Sequence, residues 1–170
     1  MDMGFSWKKG VPRVVFITGG GSGIGREFAR LLAQEGAGVA IFNRRLAPAV
    51  VAELRAQARS GEQQFSSHAA DVLDEAALRH AFAEAAAQMG PPDLIINSAG
   101  IIVSAPFADL PATDFERVIQ INLVGSRNAC AAALPYLKPG SHLVLVASLA
   151  GLVGNQVVQG ILAGLGLRLR

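Results

Sequence analysis

Residues 13–25 read RVVFITGGGSGIG, and this stretch decides the fold. The apolar run Arg13–Thr18 follows Pro12 and has the β-branched content of a first strand. It ends in Thr18-Gly19-Gly20-Gly21-Ser22-Gly23-Ile24-Gly25. Ile24, Phe28, Leu31, Leu32 and Glu35 then fall at helical spacing, which predicts a helix over Ile24–Glu35. Glycine is needed where a backbone turns sharply, where it must approach a pyrophosphate, and where helix meets strand. The helix start adds unpaired N–H groups and a partial charge of about +0.5 for an anion. A glycine triplet alone reads equally well as a flexible turn. The strand before it and the helix after it argue for the anion site.

Outward from this turn, short apolar runs alternate with longer amphipathic ones. Gly36 and Gly38 are expected to stop the first helix before a strand at Val39–Phe42. A helix over Ala47–Arg59 precedes a third strand at Gln64–Ala70. Asp74–Met89 reads as a helix capped by Asp74, and Gly90-Pro91-Pro92 breaks it before a fourth strand at Asp93–Ile96. Asp114–Leu137 reads as one long helix with Gly125 in its middle, and His142–Ala147 as a fifth strand. Five strands alternating with four helices give an α/β class, a Rossmann-type doubly wound parallel sheet with strand order about 3-2-1-4-5. Its ligand crevice lies beyond the carboxyl ends of strands one and four.

The chain has 170 residues, one domain's worth, which buries roughly 70% of its unfolded surface. Hydrophobic residues are 51% and charged ones 16%, with mean hydropathy +0.38, as for a sheet covered on both faces. The net charge of +2 hides an asymmetry: Glu116 is the last acid, and five scattered basic residues follow it. No clustered basic stripe with interleaved aromatics exists, so no nucleic-acid partner is expected. Cys130 is the only cysteine, which excludes an internal disulfide and a CxxC metal site, and no metal is expected. The opening MDMGFSWKKG lacks a signal-peptide apolar stretch, and no 18-residue apolar span exists. The expectation is a soluble cytoplasmic protein with no membrane span. Residues 1–11 read as a flexible N-terminus, 12–155 as the dinucleotide-binding domain, and 156–170 as an atypical apolar tail.

The TGxxxGIG spacing of Gly19, Gly21, Ser22, Gly23, Ile24 and Gly25 resembles the glycine fingerprint of the short-chain dehydrogenase/reductase family. Further landmarks follow in order over about residues 12–155. Asp71-Val72 resembles the pair that contacts adenine. Asn97-Ser98-Ala99-Gly100 is similar to the NNAG signature, with Ser98 in place of the second Asn. Asn122 in INLVGS resembles the helix asparagine that holds a water of the proton relay, and Ser148 in VASLAG the catalytic serine. The resemblance thus implies a dinucleotide site built with Asn97, Ala99 and Gly100, and catalytic roles for Ser148 and Asn122. Each also has a plain reading. Asp71 caps a turn, Asn97 braces a loop, Asn122 bonds backbone within a helix, and Ser148 ends a strand.

An NAD enzyme places an acid at the end of strand two, about 20 residues past the glycines, to bond ribose hydroxyls. Asn43 stands there, followed by Arg44 and Arg45. A carboxylate repels a 2′-phosphate and a guanidinium pairs with it, so NADP is expected, with NAD as the alternative. The plainer reading of the arginines is a solvated charge pair.

The family's reaction needs a tyrosine and, four residues on, a lysine that lowers its pKa. Counting thirteen from Ser148 gives Ile161, and four more gives Leu165. Tyr136 is the chain's only tyrosine, and Lys138, two residues on, does not share its helix face. The expectation is therefore a truncated, inactive member of an NADP-dependent oxidoreductase lineage that moves hydride between the cofactor and an alcohol or carbonyl substrate. The alternatives are a non-catalytic NADP- or partner-binding protein and a non-functional fragment. Loss of the family's last strands would leave strand five as an edge and favour self-association through that edge and the tail. Residues 103–126 bear a loose similarity to 3-ketosphinganine reductases.

Overall fold

The computed structural model describes residues 13–148. The readings placed on 1–12, on Ile161 and Leu165, and on the tail 156–170 lie outside the described residues.

Five strands form one parallel sheet in the order β3-β2-β1-β4-β5. They are β1 (Arg13–Thr18), β2 (Ala37–Asn43), β3 (Phe65–Ala69), β4 (Leu94–Asn97) and β5 (His142–Leu145). The helices are α1 (Gly23–Gln34), α2 (Pro48–Ala56), α3 (Glu75–Met89), α4 (Ala112–Ile119) and α5 (Gly125–Ala133). Strand alternation sorts β1 between two cores. Val15 and Ile17 join the one containing α1 and α2, with Val39, Ile41 and Leu54. Val14 and Phe16 join the one containing α3 and α5, with Phe42, Phe82 and Ala129. Phe82 anchors the second core, its ring 4.5 Å from Phe42 and 5.4 Å from Phe16.

Asp74 caps α3 as expected, its carboxylate accepting from the Ala77 amide at 2.9 Å. Gly36, at φ +96°, ends α1, but Gly38 lies inside β2. A side chain at Gly38 would come within 3.1 Å of the Gln64 carbonyl, so this glycine serves close strand packing rather than helix termination.

The expected single helix over 114–137 is the main departure. It starts two residues earlier, and between α4 and α5 the backbone makes a π-helical turn, Gln120–Val124. Leu134–Tyr136 then tightens into a 3₁₀ turn. Gly125, just after the π turn, faces Val72, whose Cγ2 is 2.6 Å from where a Cβ would stand. That glycine lets the helix approach the loop after β3.

Candidate functional site

A cleft of about 430 Å³ opens at the carboxyl ends of the strands, where the order reverses between β1 and β4. Gly19, Gly21 and Ser22 form its base, Asn43 and Arg44 one wall, Asp71 and Val72 the next, and Ala99 and Gly100 the far end. Sequence reasoning missed Phe42, Ala47, Ala70, Ile101 and Ile121, which also line it. These are apolar neighbours of the landmarks and carry no chemical signature of their own.

The glycine turn is built from close approaches. A Cβ on Gly25 would stand 2.4 Å from the Gly19 carbonyl oxygen, and one on Gly19 would stand 2.8 Å from the Ala99 backbone. Gly19 (φ +70°) and Gly23 (φ +51°) also take left-handed backbone that side chains disfavour. Two amides of the turn are engaged internally. Gly19 donates to the Phe42 carbonyl at 2.8 Å, and Gly21 donates to Asn43 Oδ1 at 2.8 Å. Ser22, at the N-cap of α1, makes no side-chain cap bond, so the first-turn amides of Gly23, Ile24 and Gly25 have no hydroxyl capping them.

These features fit a dinucleotide. The glycines leave the space a Cβ would fill, and the start of α1 offers amides and positive charge to a pyrophosphate. Asn43 Nδ2 is buried without a hydrogen-bond partner among the described residues, a condition costing about 1–3 kcal/mol that a ligand oxygen would relieve. Among the described residues neither Arg44 nor Arg45 takes part in an ion pair, and both line the cleft. The Asp71 carboxylate accepts from the Leu73 amide at 3.0 Å, which shapes the loop that brings Val72 into the wall.

Asn97, Asn122 and Ser148 are not part of the cleft lining. Asn97 is buried and accepts from the Thr18 hydroxyl at 2.6 Å while donating to Ser126 Oγ at 2.8 Å. Asn122, in the π turn, pairs with Ile101 twice, accepting its N–H at 2.8 Å and donating to its carbonyl at 2.9 Å. The plain bracing readings of Asn97 and Asn122 therefore describe real bonds, and these bonds fix the loop that closes the far end of the cleft. Ser148 is exposed just past β5, whose neighbour Val146 donates to the Asn97 carbonyl at 2.9 Å. Thr18 and Ser126 are polar members of this network that sequence reasoning did not single out.

Tyr136 lies elsewhere. Its ring packs into the α3/α5 core, 6.3 Å from Phe16 and 6.4 Å from Phe82, and burial pushes its hydroxyl pKa up. Lys138 approaches Asp93, which precedes β4, so both sit at the opposite end of the sheet from the cleft. Among the described residues no group of His, Cys, Asp and Glu forms a metal site. No described helix is long and apolar enough to cross a membrane.

Comparison with known proteins gives the same assignment from three directions. The family model described as short chain dehydrogenase matches residues 13–160. A probable oxidoreductase, EphD of Mycobacterium tuberculosis, is 39% identical over 141 residues, covering 81% of this chain and 23% of that protein. The solved blue fluorescent protein from a metagenomic library, in complex with NADPH, superposes with a TM-score of 0.77 at 30% identity, covering 90% of this chain and 63% of that one. An NAD⁺-bound xylitol dehydrogenase superposes with a TM-score of 0.81 at 27% identity, covering 93% and 61%. The chain thus spans less than two thirds of each of these relatives.

Proposed function

The chain belongs to the short chain dehydrogenases, and from that premise we propose that it binds NADP(H) as part of an oxidoreductase acting on an alcohol or carbonyl compound. The observation that carries the reading is the glycine turn. It sits at the switch point of the sheet with the uncapped start of α1 beside it and Asn43, Arg44 and Arg45 at one wall. In this reading Gly23 through Gly25 offer amides to the pyrophosphate, and Asp71 and Val72 flank the adenine. Asn43 Nδ2 donates to a ribose oxygen, and Arg44 pairs with a 2′-phosphate. The absence of an acid at position 43 supports NADP over NAD, since no carboxylate repels the phosphate.

Bound dinucleotide supplies the hydride or accepts it. The chain's own part at that end is to orient the substrate carbonyl through the Ser148 hydroxyl. Asn122 holds the loop Gly100–Ile101 in place and supports proton movement. Counted along the sequence from Ser148, Ile161 and Leu165 fall at the positions expected for the family's tyrosine and lysine, and neither side chain transfers a proton. Tyr136 is too far from the cleft to substitute. General acid–base help is worth about 10²–10⁴-fold, so turnover by this sequence is expected to be low even where binding is tight. Non-catalytic NADP binding is the second reading, favoured by the same two residues.

Titration of nicotinamide fluorescence tests the assignment. The chain should bind NADPH more tightly than NADH, and Arg44→Ala should narrow the difference. Equal affinities, or tighter NADH, would overturn the role given to Arg44. A panel of carbonyl substrates that includes 3-ketosphinganine then measures residual turnover.

A further inference from the structure

We propose that Ser126 is a positioning residue that couples the glycine turn to the π-helical turn carrying Asn122. The proposal rests on the dinucleotide reading of the cleft and adds a residue to it.

The argument begins with hydrogen count. A serine or threonine hydroxyl has one hydrogen to give. Thr18, the last residue before the glycine turn, gives its hydrogen to Asn97 Oδ1 at 2.6 Å. Asn97 Nδ2 gives one to Ser126 Oγ at 2.8 Å, and Ser126 gives its own to the Asn122 carbonyl at 2.6 Å. All three donors point the same way, so each bond polarises the next. The chain crosses from β1 through β4 to the helix, joining residues 79 and 29 positions apart in sequence.

Ser126 bonds to the carbonyl four residues back, a pattern that bends helices, and it does so just past the point where the backbone widens into the π turn. A hydroxyl merely solvating a helix would face water. Ser126 is only partly exposed and receives its bond from an amide that is 2% exposed. Without Ser126, Asn97 Nδ2 has no partner of its own. The buried amide must then turn, releasing Thr18, or the π turn must relax. Relaxation moves Asn122, which pairs both backbone groups of Ile101 in the cleft wall. Either way the loop after β4 loses its fixed distance from the glycine turn, which it approaches so closely that a Cβ on Gly19 would stand 2.8 Å from the Ala99 backbone.

Two variants and two readouts test this. In the chain without dinucleotide, Ser126→Ala should speed hydrogen exchange of the Ile101 amide by about tenfold, as expected from loss of one or two buried bonds. It should also weaken NADPH binding by about tenfold and move the emission of bound nicotinamide toward that of the free cofactor. Ser126→Thr keeps the hydroxyl and should restore both within about twofold. Wild-type exchange and affinity in a folded Ser126→Ala would overturn the proposal. So would a threonine variant no better than alanine, because packing would then explain the loss. If Ser126→Ala does not fold, Ser126→Cys, with a weak S–H donor, is read by the same two measurements. Failure of the unaltered chain to bind any dinucleotide would sink the functional reading alone, since the exchange experiment decides the coupling without ligand.

Discussion

β2 and β5 belong to one sheet, with β1 and β4 between them, yet they occupy different surroundings. In β2 every residue from Ala37 to Phe42 is buried, between strands on both sides and helices on both faces. Phe42 alone touches Phe16, Phe82 and the His68 ring at 4.5–5.2 Å. In β5, Val144 is 41% exposed and Leu145 49%. The region around β2 is enclosed by its own apolar contacts, and its wall of the cleft stands ready before a ligand arrives. The region of Asn122 and Ser148 is held instead by polar bridges between loops and the π turn. Hydrogen bonds of that kind contribute about 1 kcal/mol each, so this side is the one expected to respond to ligand.

The largest effect is expected in the enclosed region. Gly25→Ala places a Cβ 2.4 Å from the Gly19 carbonyl oxygen and 2.9 Å from its carbon, both backbone, so the turn itself must shift. Denaturant unfolding should show a loss of about 3 kcal/mol, the upper part of the range for overpacking, together with loss of NADPH binding. Gly23→Ala meets nothing within 4 Å and carries only the strain of φ +51°, about 1–2 kcal/mol. Equal losses in the two variants would break the idea that close backbone packing governs this turn.

A smaller effect is expected with pH, also on the β2 side. His68 stacks on Phe42 at 5.2 Å, and the Phe42 carbonyl holds the Gly19 amide. Burial holds the His68 pKa below its ordinary 6.5, opposed by Glu84, whose carboxylate is 3.6 Å from Nδ1. The unfolded chain accepts a proton near pH 6.5 that the folded chain resists. Stability contributed by neutral His68 is therefore full above about 6.5 and declines as pH falls toward the lower folded value. Urea midpoints from pH 7.5 to 5 should fall, and His68→Phe, which keeps the stack, should flatten that slope. An unchanged slope in His68→Phe would assign the dependence to other groups.

How much of this was legible in the sequence follows from the range of the forces involved. β1 matches its expected bounds because a buried parallel strand is a continuous apolar run, and Pro12 and Gly19 mark its ends. The sheet order follows from crossover geometry. The π turn was not legible. Nothing in QINLV disfavours an α-helix, and the bond that Asn122 makes from that turn reaches Ile101, 21 residues away, where no local pattern records it. Ser126 and Thr18 were missed for the same reason, since a hydroxyl's partner 29 or 79 residues away leaves no local pattern. Gln63 is a further case. Its Oε1 accepts from the amides of Arg59 and Ser60, and its Nε2 donates to the carbonyls of Ala33 and Ala37, yet in sequence it is one polar residue in a loop. The fingerprint glycines were legible because steric demands on backbone are local. The wiring that connects them to Asn122 was not.

The smallest effect belongs to β5. Leu145, at the strand's last position and 49% exposed, buries only about half of its apolar surface, so replacing it removes about half of what a fully buried leucine contributes. Leu145→Ser should lower the unfolding free energy by about 1 kcal/mol relative to the parent chain. The same substitution takes an apolar group off a strand that pairs only with β4 among the described residues, where exposed apolar surface favours association. Sedimentation at rising concentration should then show less self-association, with NADPH affinity unchanged because position 145 is outside the cleft lining. A loss above about 2 kcal/mol would mean that Leu145 is packed like the residues of β2. The contrast between the two strands would then fail at the point where it is drawn most sharply.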